Sequence, residues 1–292
     1  MAISDLEIVT KAALTPPQLG DVGALVAEAG WNQLAADWSI FTEQGRVYIA
    51  QTSEGRIVAT TATLPYGDRF AWISMVLVKG EYRRHGVATQ LMRGAMDQLA
   101  REARIPVLDA TPEGRAVYRR LGFEDSWGLA RLARAPRARA GSALASPGGI
   151  TIRPVTDHDW PALCAYDAAA FGAERSAVLA GLRGRLPAAE LIAERAGRVV
   201  GFVLGRDGAR AAHVGPLIAD DPSIASALIS RALGALEGPV FVDLADSQHE
   251  LRAVLDAHGF ASGRPLTRMM FGSSTRFDDP ARTFAVIGPE FG

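Results

Sequence analysis

The sequence has one cysteine, Cys164, among 292 residues. A single cysteine excludes a disulfide within the chain and a metal cluster built from cysteines of this chain. No stretch approaches the roughly 18 consecutive apolar residues that a membrane-spanning helix needs. The start, MAISDLEIVT, has an acidic pair where a secretory signal needs a basic segment. The sequence therefore predicts a cytoplasmic protein with no membrane partner.

A surplus of basic charge is also lacking. The chain has 31 basic and 32 acidic residues and a net charge of −1. Proteins that bind nucleic acids usually carry a basic surplus, so we expect no nucleic-acid partner. No His, Asp or Glu set has metal-ligand spacing, and we expect no metal. Apolar residues make up 48% and charged residues 22%, which is the composition of a globular protein.

The length suits two domains of about 140 residues each. One seam stands out at 131–149, RLARAPRARAGSALASPGG, which contains prolines and glycines and no aromatic residue. Arginines without interleaved aromatics favour a solvated linker over a nucleic-acid patch. We therefore predict a first domain at 1–135, a linker at 136–149, and a second domain at 150–292 that includes a C-terminal tail.

Strand and helix patterns alternate in both halves, which predicts an α/β (α+β) fold class. The first half has the order β, helices, β, β, β, α, β, α, β. In its long amphipathic helix, apolar residues recur at helical spacing between 84 and 104. The second half repeats the order, which suggests an internal duplication.

The stretch MVLVKGEYRRHGVATQLM, 75–92, indicates a site for an anion. An apolar strand ends at Val78, and a helix begins within the sequence RRHGVA. The first turn of a helix has free N–H groups and the positive end of the helix dipole. Gly86 and Ala88 leave room for close approach, and Arg83 and Arg84 add positive charge. These features together favour a diphosphate ligand.

A second motif lies downstream, in ATPEGRAVYRRLGFED. Tyr118 lies on a short predicted helix that ends at Gly122 and Phe123, after a strand that ends near Thr111. The RRHGVA helix start resembles the acyl-CoA-binding motif of the GNAT acyltransferase family, and Y-x-x-L-G-F resembles that family's last helix and strand. The AGWN and PYGD segments, at 29–32 and 65–68, resemble those of tandem GNAT proteins.

The resemblance implies two tandem GNAT-like domains, each a mixed, mostly antiparallel central sheet flanked by helices. It implies acetyl-CoA as donor, with its pyrophosphate on the amides of the loop and its pantetheine arm along the preceding strand edge. It also implies that Tyr118 is the general acid that protonates the leaving thiolate. The predicted donor-binding residues are Val76, Leu77, Val78, Arg83, Arg84, His85, Gly86, Val87, Ala88 and Thr89.

The general base and the acceptor site are less defined by the sequence. Asp109, on a strand beside the cleft, and a chain of waters are alternative bases. The predicted acceptor-binding residues are Trp31, Asn32, Asp37 and Tyr66. An apolar wall with one carboxylate suits a small amine.

The second half retains the apolar pattern but not the chemical residues. A shift of 137 positions places Leu91 on Leu228 and Gly122 on Gly259. The same shift replaces Arg83 and Arg84 by Asp220 and Asp221, Gly86 by Ser223, and Tyr118 by Leu255. We therefore expect that the second half is degenerate and binds no acyl-CoA.

The leading prediction is an acetyl-CoA-dependent N-acetyltransferase that acts on a small-molecule amine. A mycothiol-synthase-like or peptide-directed tandem acetyltransferase is one alternative. A CoA-binding sensor without turnover is another, although binding alone does not require a proton donor such as Tyr118. The sequence is compatible with a monomer or a homodimer.

Overall fold

A computed structural model describes residues 6–136 and 147–292. Contacts divide the chain into two compact units. Unit 1 comprises 1–108 together with 208–210 and Phe291, and unit 2 comprises 109–207, 211–290 and Gly292. Most of the predicted linker, at 137–146, lies outside the described residues.

Unit 1 is one sheet with helices, in the order predicted from the sequence. Its elements are β1 (Glu7–Lys11), α1 (Pro16–Glu28), α2 (Ala35–Gln44), β2 (Arg46–Gln51), β3 (Ile57–Tyr66), β4 (Phe70–Val78), α3 (Val87–Arg101) and the start of β5 (Ile105–Ala110). The strands lie in the order β1-β2-β3-β4-β5, antiparallel except for the parallel pair β4–β5. The mixed, mostly antiparallel sheet is confirmed.

The amphipathic helix α3 buries one face against this sheet. The periodicity identifies that face correctly, since the residues Val87, Leu91, Met92, Ala95 and Leu99 are buried. Each buried Leu or Met side chain contributes about 1.5–3 kcal/mol relative to exposure. Packing of this face therefore anchors the N-terminus of α3 at the end of the β4–α3 turn.

Unit 2 also combines one mixed sheet with helices. Its elements are α4 (Pro112–Arg120), β6 (Phe123–Arg134), β7 (Ile150–Pro154), α5 (Trp160–Phe171), α6 (Ser176–Ala180), β8 (Leu191–Arg195), β9 (Arg198–Arg206), β10 (Ala212–Ala219), α7 (Pro222–Gly234), β11 (Val240–Ala245), α8 (His249–Ala257), β12 (Ala261–Phe271) and β13 (Thr283–Val286). The strand order is β12-β6-β11-β13-β10-β9-β8-β7.

Strand β6 belongs to the first half of the sequence but lies inside the sheet of unit 2. It is antiparallel to β11 on one side and to β12 on the other. Its Leu129 and Leu132 are fully buried there. The compact units therefore divide at 108/109, whereas the sequence halves divide at the linker. The domain boundaries at 135 and 150 that the sequence predicts therefore remain a prediction.

The C-terminal tail contributes a strand that the sequence pattern did not predict. Within the tail, β13 lies between β10 and β11 and is antiparallel to both. Its four residues are all buried. The tail is thus part of the unit 2 core.

A matched pair of glycine substitutions tests the junction between α2 and β2. A Cβ on Gly45 would lie 2.0 Å from the backbone O of Thr63, whereas a Cβ on Gly23 in α1 meets nothing within 4 Å. We expect Gly45→Ala to lower the free energy of unfolding by about 2 kcal/mol or more because the backbone must shift. Gly23→Ala should raise it by about 0.5–1 kcal/mol through helix propensity. Urea titration followed by circular dichroism measures both, and equal effects would contradict this view of the junction.

Candidate functional site

A β-bulge interrupts strand β4 just before its end. Thr60 pairs with Leu77 but Ala62 pairs with Ser74, so β4 has one extra residue between these pairs. Met75 has a positive φ of 52°, which is uncommon for a residue other than glycine. The hydroxyl of Thr60 donates a 2.7 Å hydrogen bond to the carbonyl O of Met75. This bond holds the bulge, and bulges change the direction of a strand.

Beyond the bulge, one edge of β4 has no strand partner in the part of the chain that the structure describes. The parallel pairing with β5 covers Phe70 to Trp72, and its last pair joins Trp72 to Val107. The rest of β4, including the predicted residues Leu77 and Val78, pairs only with β3 within the described chain. Val76 and Val78 are half-buried. The edge therefore offers backbone groups to an extended ligand.

The turn after β4 leads to an uncapped helix N-terminus. Gly86 is the N-cap of α3 with φ 81°, and no side chain of the described residues bonds to the first amides of the helix. Arg84, at φ 63°, His85 and Gly86 are all exposed. A Cβ on Gly86 would meet nothing within 4 Å, so the space above the amides is open. These residues fit an anionic group such as a diphosphate.

Arg83, predicted to contact the diphosphate, already has partners within unit 1. Its Nε donates to the carbonyl O of Val78 at 2.8 Å, and its Nη2 donates to Glu28 at 2.7 Å. Glu28 also accepts from the amide of Gly80 at 2.8 Å. Arg83 and Glu28 thus tie the turn to the end of α1. The sequence pattern gave no signal for Glu28 because it lies 55 positions away.

The matching helix of unit 2, α7, has its first amides occupied. Asp221 is its N-cap, and Oδ1 accepts from the amides of Ser223 at 2.9 Å and Ile224 at 3.0 Å. Burial works against the charge, but hydrogen bonds from Ser223 and Ile224 hold the pKa of Asp221 below its ordinary value. Asp220 accepts from the hydroxyl of Tyr166 at 2.7 Å. A carboxylate of the chain itself fills the position of an external anion.

Tyr118 lies on α4, with its ring packed on that helix and on Phe123. A Cβ on Gly114 would lie 2.9 Å from Cε2 of Tyr118, and the Tyr118 and Phe123 ring centroids are 6.1 Å apart. Burial raises the pKa of the Tyr118 hydroxyl to about 12. The hydroxyl is therefore protonated at neutral pH, as a proton donor must be.

Asp109, predicted as a candidate base, is engaged in a buried ion pair. Both of its oxygens accept hydrogen bonds from Arg268, from Nε and Nη2 at 2.9 Å each. The two side chains are about 1% exposed or less. Burial raises the pKa of Asp109, while Arg268 opposes the shift. This geometry gives Asp109 a structural role and does not support its prediction as a base.

Three of the four predicted acceptor residues are buried and serve the fold of unit 1. The carbonyl O and Oδ1 of Asn32 each accept a backbone amide, from Ala209 and Arg210, at 2.9 Å. Asp37 caps the start of α2 by accepting from the amide of Leu34 at 2.7 Å. Tyr66 donates to the carbonyl O of Phe291 at 2.5 Å. Their polar groups bond to the backbone, which favours a structural role over the predicted contact with the acceptor.

The fourth predicted residue, Trp31, lines a cleft of unit 1 between α1, α2 and residues 209–210, with a volume of about 550 Å³. Gln33 and Trp38 also line it. Gln33 Oε1 and Trp38 Nε1 are buried without a hydrogen-bond partner among the described residues. Trp38 was predicted to be core, and it is 2% exposed.

Within residues 6–136 and 147–292, no cluster of His, Cys, Asp and Glu has the geometry of a metal site. None of the helices described there is long and apolar enough to cross a membrane.

Both halves of the chain match family models. A model described as "Acetyltransferase (GNAT) domain" matches residues 43–125, and a second model of the same description matches 163–285. The uncharacterized N-acetyltransferase YitH of Bacillus subtilis (strain 168) is 24% identical over 237 residues. These cover 81% of this chain and 82% of YitH.

Solved structures share the fold. A putative acetyltransferase from Pyrococcus horikoshii has a TM-score of 0.79 at 19% identity, covering 100% of this chain and 98% of that one. A tandem GNAT protein from the clavulanic acid biosynthesis pathway has a TM-score of 0.65 at 16% identity, covering 91% and 98%. At these identities the likeness concerns the fold alone.

The Asp109–Arg268 pair can be tested by stability alone. Asp109→Asn leaves the buried guanidinium without its carboxylate, and we expect a loss of about 3–5 kcal/mol in the free energy of unfolding. The double variant Asp109→Leu/Arg268→Met removes both charges and should recover most of that loss. Urea titration measures both variants. A double variant no more stable than Asp109→Asn would contradict a purely structural pair.

Proposed function

We propose that this chain, which belongs to the GNAT acetyltransferase family with two of its domains in tandem, acetylates the amine of a small molecule. It is an N-acetyltransferase, and enzymes of this family use acetyl-CoA as donor. We further assign the binding of acetyl-CoA to the β4–α3 region and the role of proton donor to Tyr118.

The assignment of acetyl-CoA to this region rests on one observation. The N-terminus of α3 is open, and it follows the edge of β4 that has no strand partner among the described residues. The amides of Val87, Ala88 and Thr89 belong to the first helical turn, and none of the side chains that the structure describes caps them. Arg84 and His85 are exposed beside them. A diphosphate would satisfy these amides and gain from the helix dipole. The free edge of β4 supports binding of an extended pantetheine arm by backbone hydrogen bonds.

The second half differs in the charge at the equivalent helix start. Asp221 occupies the first amides of α7, and Asp220 adds a second carboxylate next to it. Two like charges about 5 Å apart repel by roughly 3 kcal/mol at an effective dielectric of about 20. We infer that the protein binds one acetyl-CoA per chain, in the first half.

Acyl transfer requires a proton for the departing thiolate, and Tyr118 is the group assigned to supply it. Because the pKa of Tyr118 is raised to about 12, its hydroxyl remains protonated over the working pH range. Bound acetyl-CoA supplies the activated thioester. With Asp109 held by Arg268, the proton of the amine is assigned to a chain of waters.

The donor assignment predicts an effect of charge at Gly86. We expect Gly86→Asp to weaken acetyl-CoA binding about 100-fold, since its carboxylate competes for the α3 amides and repels phosphate. Gly86→Asn has the same size and tolerates a positive φ, and it should weaken binding much less. Isothermal titration calorimetry of acetyl-CoA into the wild type and both variants measures this. Equal weakening by Asp and Asn, or two equivalents bound, would contradict the donor assignment.

The acid assignment predicts the effect of removing one hydroxyl. Tyr118→Phe should lower kcat about 100-fold or more and leave the Kd of acetyl-CoA unchanged. Because the pKa of Tyr118 is about 12, deprotonation of its hydroxyl should not lower the wild-type kcat as pH rises to 10. Release of CoA thiol measures both effects. Tyr166→Phe removes a hydroxyl bound to Asp220 and is the matched control, with kcat unchanged. A Tyr118→Phe variant with wild-type kcat would overturn the acid role.

A further inference from the structure

The β4–α3 turn, residues 79–86, is not held in place by apolar packing. None of its residues is buried, and Tyr82 alone among them is half-buried. The first buried side chain after the turn is Val87, at the start of α3. Arg84 has a positive φ of 63°, a conformation that is unfavourable for a residue other than glycine and persists where neighbouring contacts impose it. The conformation of the turn therefore depends on its polar contacts.

Glu28, the last residue of α1, supplies two of these contacts through a single oxygen. Its Oε1 accepts from the amide of Gly80 at 2.8 Å and from Nη2 of Arg83 at 2.7 Å. In the part of the chain that the structure describes, no other side chain from outside the turn forms a hydrogen bond with it. One carboxylate oxygen therefore joins the turn to α1 at two points.

The neighbouring residues are suited to this link. Gly80 has no side chain where the carboxylate approaches, since a Cβ there would lie 3.0 Å from Oε1 of Glu28. Arg83 extends the link to β4, because its Nε donates to the carbonyl O of Val78 at 2.8 Å. Hydrogen bonds thus run without a break from the end of α1, through Arg83, to the last residue of β4.

Electrostatics and stability alone do not account for a carboxylate at this position. The C-terminal end of a helix has a negative partial charge, which disfavours an acidic residue such as Glu28. A carboxylate bound to the turn that leads to the α3 amides also repels a phosphate there. The ion pair with Arg83 contributes little to stability, because the Arg83 and Glu28 side chains are 52% and 39% exposed. These costs are explained if Glu28 shapes the turn.

We propose that Glu28 is a positioning residue for acetyl-CoA and acts through Arg83 and the amide of Gly80. This inference rests on the proposed function. By holding the β4–α3 turn, Glu28 keeps the N-cap Gly86 in the conformation that leaves the first α3 amides open to the diphosphate. Arg83 then serves the donor by fixing the turn.

A matched pair of variants separates the hydrogen bonds of Glu28 from its charge. Glu28→Gln keeps the Oε1 acceptor and removes the negative charge, so the Kd of acetyl-CoA should stay within about threefold of the wild-type value or fall below it. Glu28→Ala also removes the acceptor and should raise this Kd about tenfold. Isothermal titration calorimetry with the full chain measures all three proteins.

Three controls accompany this comparison. Glu54→Ala removes an exposed acidic residue between β2 and β3 and should leave the Kd unchanged. Urea titration should give nearly the same midpoint for the wild type and both Glu28 variants, because an exposed ion pair contributes little to stability. Combining Glu28→Ala with Arg83→Gln should raise the Kd by less than the product of the two single effects, since both substitutions break one contact.

Hydrogen–deuterium exchange followed by mass spectrometry tests the link without a ligand. Amides of the β4–α3 turn should exchange faster in Glu28→Ala than in Glu28→Gln or the wild type, because the amide of Gly80 loses its acceptor only in the alanine variant. Equal exchange in the three proteins would show that Glu28 does not hold the turn.

The outcomes distinguish this inference from the proposed function. If the wild type binds acetyl-CoA and Gly86→Asp weakens binding, but Glu28→Ala binds as tightly as Glu28→Gln, the role of Glu28 is overturned and the donor assignment stands. If the wild type does not bind acetyl-CoA, or Gly86→Asp binds as tightly as the wild type, the donor assignment fails and the role of Glu28 fails with it.

Discussion

The backbone amides in the first turn of a helix need hydrogen-bond acceptors. The two halves of the protein differ in how this need is met. In α7 the chain provides its own acceptor, the carboxylate of Asp221, and the helix start is closed. In α3 the N-cap is Gly86, which has no side chain and a positive φ. The two helix starts therefore differ in whether a side chain of the chain itself occupies the first amides, and we assign the diphosphate to the open start of α3.

Buried polar groups follow the same logic elsewhere. Asn32, Asp37 and Tyr66 look like ligand contacts by type, but each is hydrogen-bonded to a backbone group. Asp109 is likewise neutralised by Arg268. Because leaving a buried polar group unpaired costs about 1–3 kcal/mol, such residues are first of all structural.

The sheet of unit 2 is built from both halves of the sequence. Strand β6 lies between β11 and β12, and β13 lies between β11 and β10. The buried pair Arg131–Asp243 joins β6 to β11 across this sheet. Folding of the second half therefore requires the last strand of the first half.

Local patterns in the sequence were sufficient to predict the helices that carry the candidate site. Periodicity placed α3 and its buried face, and glycine, arginine and tyrosine positions identified the α3 start and Tyr118. Three features were decided by tertiary structure alone. They are the bulge at Met75, the pairing of Asp109 with Arg268 across 159 positions, and the insertion of β6 into the sheet of unit 2. These features arise because strands that are distant in the sequence pair and because buried charges need counter-charges. Neither kind of contact can be predicted from the spacing of residues along the chain.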